Sequence, residues 1–435
     1  MPKDQFSLHD TVRVTTKDAV YQGLVLPSGD ATLVLKLDNG YNIGIDRKRI
    51  KEVEVLKKAA ATKDPTAAVI KDNPSLPTIH LLHTGGTIAS KVDYATGGVT
   101  AYFTPQDIFS MFPEIRGIAN LRSELIGNIM SENMRFYHYN LLADRAVKAV
   151  KDGADGIIIT HGTDFLHYTS AALSFALKGL GVPVILVGAQ RSSDRPSSDA
   201  FLNLVSAASF IAGSDYAGVG VCMHAETDDD SCIVVPGTKV RKMHTSRRDA
   251  FRPINCRPIA RVSHAQEVEM LSEGYPKKMA MPKGFTAIRF KEGLKVGILK
   301  GHPSMHAEEV LAYKDFDGLV LEITGIGQMP IIAMDEHSKE NSRIHDAIKT
   351  LAKKMPVAAA PQTIYGRVVM NVYSEGRELR SLGVVGDYSD MTPETAFIKL
   401  AFLLSNHSAD ETRRLFSEDI VGEISPRTEE GEYLS

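Results

Sequence analysis

Apolar and polar positions follow two different patterns along this chain. In the first stretch the apolar positions come in short, nearly alternating runs. Thr11-Val12-Arg13-Val14-Thr15 alternates strictly, and 21–26, 31–37 and 41–45 are runs of the same length and kind. Such runs predict half-buried strands. Asp38-Asn39-Gly40 between two of them is a hairpin turn signal. Strands this short and this closely spaced predict a small SH3/Sm-like β-barrel over residues 1–60. A linker over 61–76 follows, where Pro65, Pro74 and then Pro77 break any regular element.

From Thr78 the pattern changes. Unbroken apolar runs at 79–82, 156–159, 182–187 and 218–223 alternate with helix-period segments at 137–151, 164–180 and 198–212. This βαβ rhythm predicts a parallel sheet with helices on both faces, in an α/β domain spanning 77–265. Residues 266–289 lack either period and read as a connector. Runs at 295–299, 318–322 and 355–360 predict a second, smaller α/β domain over 290–435. Its polar tail from Asn406 predicts one more helix near 410–416, followed by fraying.

Composition narrows the classes of function. Of the 435 residues, 43% are hydrophobic and 24% charged, the balance of an ordinary globular protein. A formal net charge of −3 argues against a surface that coats nucleic acid. One local basic cluster remains, Arg47-Lys48-Arg49-Ile50-Lys51. It reads either as charge protecting a strand edge or as a contact for a nucleic-acid backbone or an acidic partner. Cys222, Cys232 and Cys256 have no metal-site spacing, and three is an odd number for a disulfide framework. A reducing, cytoplasmic setting is therefore expected. Residues 1–6 have no apolar core of the signal-peptide type. No apolar run approaches the length that spans a bilayer, so no membrane association is expected.

Two strand ends carry the candidate chemistry. The run Ile79-His80-Leu81-Leu82 passes His83 and enters Thr84-Gly85-Gly86-Thr87, where glycine permits a tight turn. Gly156-Ile157-Ile158-Ile159 enters Thr160-His161-Gly162-Thr163-Asp164. Either alone reads as an ordinary strand-to-helix turn, with Thr or Asp capping the next helix. Together they place two threonines and a carboxylate at the carboxyl ends of strands, where open α/β sheets bind ligands. A threonine hydroxyl needs a neighbouring base to act as a nucleophile. His83 reads as a core residue. Lys242, in Val240-Arg241-Lys242-Met243-His244, serves as a base if burial lowers its pKa and Asp164 orients it.

These motifs resemble the L-asparaginase/glutaminase family of threonine amidohydrolases. Thr84-Gly85-Gly86-Thr87-Ile88-Ala89 is similar to its first signature and His161-Gly162-Thr163-Asp164 to its second. The similarity continues through Gly188-Ala189-Gln190-Arg191, Ala250-Phe251 and Glu322-Ile323-Thr324-Gly325-Ile326-Gly327, over roughly residues 78–405. The resemblance implies an asparaginase-like two-domain body. It makes Thr87 the nucleophile and Thr163, Asp164 and Lys242 a second triad. Ser131 and Glu132 become the substrate-binding pair, and Asp164 the counter-charge for the substrate α-ammonium. The family's mobile loop carries a catalytic tyrosine; Tyr94 and Tyr102 both lie in that loop here, and the role is open to either or to neither. A homodimer core is implied, with 365–374 reaching across it.

A simple asparaginase has no use for the residues before Thr78. A barrel joined to this body resembles the D-subunit branch of the family, from the archaeal glutamyl-tRNA(Gln) amidotransferases. Thr363-Ile364-Tyr365-Gly366-Arg367 and Ile420-Val421-Gly422-Glu423-Ile424 resemble that branch as well. The branch implies an amidase that releases ammonia from Gln or Asn and binds no cofactor itself. Its partner, the amidotransferase E-subunit, uses ATP and Mg to activate Glu-tRNA(Gln) and accepts the ammonia, in a heterotetramer. The alternatives are a stand-alone cytoplasmic L-asparaginase and a catalytically silent module that holds RNA through its barrel.

Overall fold

The computed structural model describes residues 6–7, 10–26, 32–37, 42–58, 72–85, 90–93, 98–101, 113–191, 198–430 and 433. Thr87, Tyr94, Tyr102, the turn Asp38-Asn39-Gly40 and residues 61–71 of the linker lie outside these. The N-terminal unit contains β1 (Thr11–Thr16), β2 (Val20–Leu26), β3 (Thr32–Leu37), β4 (Asn42–Asp46) and β5 (Ile50–Lys57). They pair antiparallel in the order β4-β3-β2-β1-β5 around Val12, Val14, Val25, Leu33, Leu35 and Ile45. Strand β5 is an addition to the four predicted. Ile50, Val53 and Val55 pack on the core, while charged residues between them hide the alternation. The basic cluster forms the turn Arg47–Arg49 into β5. There Asp46 accepts from the Lys48 amide and Arg49 pairs with Asp18 at 2.8 Å.

The body begins with β6 (Thr78–His83), followed by the ribbon β7 (Ser90–Asp93) and β8 (Gly98–Ala101), then β9 (Asn120–Leu125). Next come α1 (Phe136–Lys151), β10 (Gly156–Thr160), α2 (Leu166–Ala176), β11 (Val184–Val187), α3 (Ala200–Gly213) and β12 (Val219–His224). Five strands follow: β13 (Ser231–Pro236), β14 (Val240–Lys242), β15 (Phe251–Pro253), β16 (Ala260–Ser263) and β17 (Val268–Met270). Eight strands form one sheet, ordered β17-β16-β13-β12-β11-β10-β6-β9. The half from β9 to β12 is parallel, as predicted. The half from β12 to β17 is antiparallel, which corrects the expectation of one parallel sheet through residue 265. Only residues 225–230 separate β12 from β13. That is too short for a parallel crossover, so the chain returns beside the strand it has just left. Helices cover both faces. Ile157 and Ile159 of β10 pack with α1 and α2, while Ile158 packs with α3 on the other side.

The second unit has a parallel sheet of β18 (Val296–Lys300), β19 (Gly318–Ile323) and β20 (Val357–Pro361). Its helices are α4 (Ala307–Leu311), α5 (Glu340–Lys354), α6 (Ser374–Ser381), α7 (Pro393–Asn406) and α8 (Ala409–Leu415). Thr392 caps α7 through the Thr395 amide, and Pro393 opens it. This helix joins the two units. Phe402 stacks on Phe175 of α2 with ring centroids 5.1 Å apart, and Leu400 lies in the cluster that contains Val320 and Ala358.

The tail stays packed beyond residue 416, at least as far as Ser425. Glu423 and Lys399 form an ion pair at 2.6 Å with both side chains at 0% exposure. The Ile420 and Val421 amides also donate to Glu423. A charged tail reads as solvated until its partner inside α7 is known. Burial pushes the Lys399 pKa down, and Glu423 pushes against that. Glu423→Ala leaves the ammonium buried without its counter-charge. It is expected to cost about 3–5 kcal/mol, read from urea unfolding. Among the described residues no helix is long and apolar enough to cross a membrane.

Candidate active site

Three neighbouring strands aim their carboxyl ends at one place. In the parallel register His83 of β6 lies beside Thr160 of β10, and β9 flanks β6 on the other side. The two threonine-bearing turns are therefore adjacent. The Thr84 amide and hydroxyl both donate to the Thr160 carbonyl, at 3.2 and 2.9 Å. On the other side the Ile129 amide donates to the Thr84 carbonyl at 2.7 Å. Gly85 has φ +99°, and a Cβ there would stand 2.8 Å from Asn128 Oδ1 and 3.0 Å from the Ile129 nitrogen. Only glycine fits that conformation and that gap. Thr87 follows two residues later, outside the described residues. His83 is a buried core residue, as expected. Its Nδ1 is 3.1 Å from Thr160 Oγ1, and burial lowers its pKa to about 4.

The second turn is fixed from within. His161 is fully buried, with Nδ1 2.7 Å from the Gly162 carbonyl and Nε2 2.9 Å from Thr169 Oγ1. A carbonyl only accepts, so the proton sits on Nδ1 and the Thr169 hydroxyl donates to Nε2. Burial lowers this histidine to about pKa 4, which keeps it neutral. Gly162 lies against Ser131, where a Cβ would come within 3.1 Å of Oγ. Ser131 Oγ accepts from the Phe165 amide at 3.3 Å, and Glu132 is 3.4 Å from the same oxygen. The predicted pair Ser131 and Glu132 thus stands beside the predicted pair Thr163 and Asp164. Helix α2 begins at Leu166 rather than at 164. Thr163 and Asp164 remain in the turn that precedes it.

Lys242 arrives from outside the main sheet, on the two-stranded ribbon of β14 and β15. Its Nζ donates to Thr163 Oγ1 at 2.9 Å and to Asp164 Oδ1 at 2.8 Å. The Lys242 side chain is 11% exposed and the Asp164 side chain 68%. A hydroxyl, an amine and a carboxylate are thus in line. Lys242 thereby links the Thr163 hydroxyl to the Asp164 carboxylate through two hydrogen bonds. The open face of Asp164 is available to a second cation.

Some parts of the site have no signal in the sequence. Arg241, next to Lys242, pairs with Glu394 of α7 at 3.0 Å. His167, in the first turn of α2, is buried beside this pair and lowered to about pKa 4, chiefly by that burial. Thr392-Pro393-Glu394 is legible as a helix start, but nothing in it points to Arg241. The segment Gly188-Ala189-Gln190-Arg191 has a supporting role. The Gln190 and Arg191 amides donate to Asp199, Asn203 holds the Gly188 carbonyl, and Gly188 packs against Thr163. Away from the site, His306, Glu308 and Glu340 bring possible ligand atoms within 4.8 Å of one another. Both of those carboxylates already hold Arg343.

This geometry agrees with the relationships of the chain. Residues 78–274 match the family model described as Asparaginase, N-terminal, and 295–416 the Glutaminase/Asparaginase C-terminal domain. Residues 6–56 match the GatD N-terminal domain. Among solved structures, the thermostable L-asparaginase from Thermococcus kodakarensis is 29% identical with a TM-score of 0.69. That match covers 80% of this chain and 100% of the other. L-asparaginase I from Vibrio cholerae shares the fold, at 24% identity and a TM-score of 0.67, covering 81% of this chain and 100% of its own. The glutamyl-tRNA(Gln) amidotransferase D-subunit from Pyrococcus abyssi is 42% identical, over 98% of this chain and 96% of its own. The D-subunit from Methanococcus maripaludis is 41% identical over 96% of this chain and 97% of its own. With an asparaginase-like body, the N-terminal unit of that branch and full-length relatives of this identity, the chain belongs to the family of glutamyl-tRNA(Gln) amidotransferase D-subunits.

Proposed function

We propose that this chain is the amidase component of a tRNA-dependent amidotransferase, releasing ammonia from Gln or Asn with Thr87 as nucleophile. The observation that carries this is Lys242 bridging Thr163 and Asp164 beside the strand that leads to Thr87. Asp164 receives the substrate α-ammonium, and Ser131 and Glu132 hold the same end of the molecule. Thr87 Oγ attacks the carboxamide carbon, and the tetrahedral adduct collapses with loss of ammonia to an acyl ester. Thr163 and Lys242 then take a proton from the water that cleaves the ester, giving glutamate or aspartate. The ammonia passes to the partner, the amidotransferase E-subunit. There ATP and Mg activate Glu-tRNA(Gln), which becomes Gln-tRNA(Gln). The assembly is a cytoplasmic heterotetramer built on a homodimer of this chain.

Ammonia release from glutamine and from asparagine tests this. It is measured with the purified chain alone, then with the E-subunit, ATP-Mg and Glu-tRNA(Gln). A low basal rate raised strongly by the full mixture is expected. Fast asparagine hydrolysis that the mixture leaves unchanged would instead identify a stand-alone L-asparaginase.

A further inference from the structure

The ribbon that carries Lys242 has only two strands; Val240 and Phe251 pack it into the core, and polar bonds fix its base. Lys239 precedes β14 and Asn255 follows β15, and both are tied to the same two residues. Lys239 Nζ donates to Asp390 Oδ2 at 2.7 Å and to Ser425 Oγ at 3.0 Å. Asn255 Nδ2 donates to the Asp390 carbonyl at 2.8 Å, and Ser425 Oγ donates to the Asn255 carbonyl at 3.2 Å. The Ser425 amide closes the ring on Asp390 Oδ1 at 3.1 Å. Lys239 and Asp390 are almost fully enclosed, with side chains 3% and 2% exposed.

Enclosing an ion pair gains little net stability over apolar packing, but it fixes geometry through directional bonds. Lys242 is three residues from Lys239, about 10 Å along an extended chain. Alternation along β14 turns Arg241 towards Glu394 and Lys242 towards Thr163 and Asp164. A shift at the base would therefore move the Lys242 amine relative to both. Ser425 lies beyond residues 295–416, the part that matches the Glutaminase/Asparaginase C-terminal domain.

We propose that Ser425, acting through Lys239 and Asp390, is a positioning residue that sets where Lys242 stands against Thr163 and Asp164. The C-terminal tail is then part of the working amidase site. This rests on the role given to Lys242 above.

The test measures kcat and KM for glutamine in the full-length chain, in whichever assembly gives the highest rate. The temperature is one at which circular dichroism shows every variant folded. Ser425→Ala is expected to lower kcat about tenfold with KM within about twofold, the pattern of a displaced catalytic group. Ser425→Thr keeps the hydroxyl and is expected to recover most of the rate. Asp390→Asn, which removes the charge facing Lys239, is expected to lose more. A folded Ser425→Ala with wild-type kcat would overturn the proposal, as would a threonine variant no better than alanine. Lys242→Met is run alongside. If it retains the wild-type rate, the triad itself is wrong. If it is inactive while Ser425→Ala runs at full speed, only the positioning role fails.

Discussion

Thr87→Ala is expected to abolish ammonia release from glutamine and asparagine while the chain stays folded. The loss should be on the order of 10⁴-fold or more, as when a covalent nucleophile is removed. Strand β6 lies beside β10 and leads towards this position, and contacts of Thr84 and Gly85 hold the chain at the end of the strand. Alanine removes the hydroxyl and one methyl and adds no bulk, so circular dichroism should not change and the unfolding midpoint should move little. Thr87→Ser keeps a hydroxyl on the same backbone and should retain part of the rate. Ammonia release by the alanine variant at an appreciable rate would move the nucleophile elsewhere, with Thr163 the next candidate.

Lys242→Met is expected to lower kcat by roughly 10²–10⁴, the usual contribution of a positioned acid or base. Methionine preserves most of the volume and the apolar stem, so the ribbon should keep its pairing between Lys242 and Phe251. What disappears is the only group that touches both Thr163 Oγ1 and Asp164 Oδ1 among the described residues. Lys242→Arg should not restore the rate. A guanidinium stays protonated and cannot accept a proton near neutral pH. A wild-type rate in the methionine variant would remove Lys242 from the chemistry, and Thr163 would then need another base.

Much of this is legible in the sequence, and the parts that are not have physical reasons. Each glycine-threonine turn alone looks like an ordinary strand-to-helix turn, and it is the occurrence of two in one chain that makes them legible. Their adjacency is not legible, since it depends on β6 and β10 being neighbours in register. The parallel half of the sheet follows from the βαβ rhythm. The antiparallel half is hidden because Cys232-Ile233-Val234-Val235 is an apolar run with no helix before it. Strand β5 is hidden because Lys51 and Glu52, two charged residues in succession between Ile50 and Val53, break its alternation. Arg241 and Glu394, or Lys239 and Ser425, lie far apart along the chain. Long-range polar pairs leave no local periodicity, so only packing reveals them. Lys242 itself is recognisable through family resemblance; in isolation it looks like a surface lysine.

The close approaches at Gly85, Gly162 and Gly188 have a consequence for binding. At Gly85 and Gly188 an added methyl would meet Asn128 or Thr163 at 2.8 Å, and at Gly162 it would press on Ser131 at 3.1 Å. The backbone under Ser131, Thr163 and Asp164 is thus wedged in place before any substrate arrives. On the function proposed above, the substrate would not have to freeze those turns on docking, and little conformational entropy would be lost on their account. The free energy of its contacts with the carboxylate and hydroxyl groups can go into affinity and orientation instead.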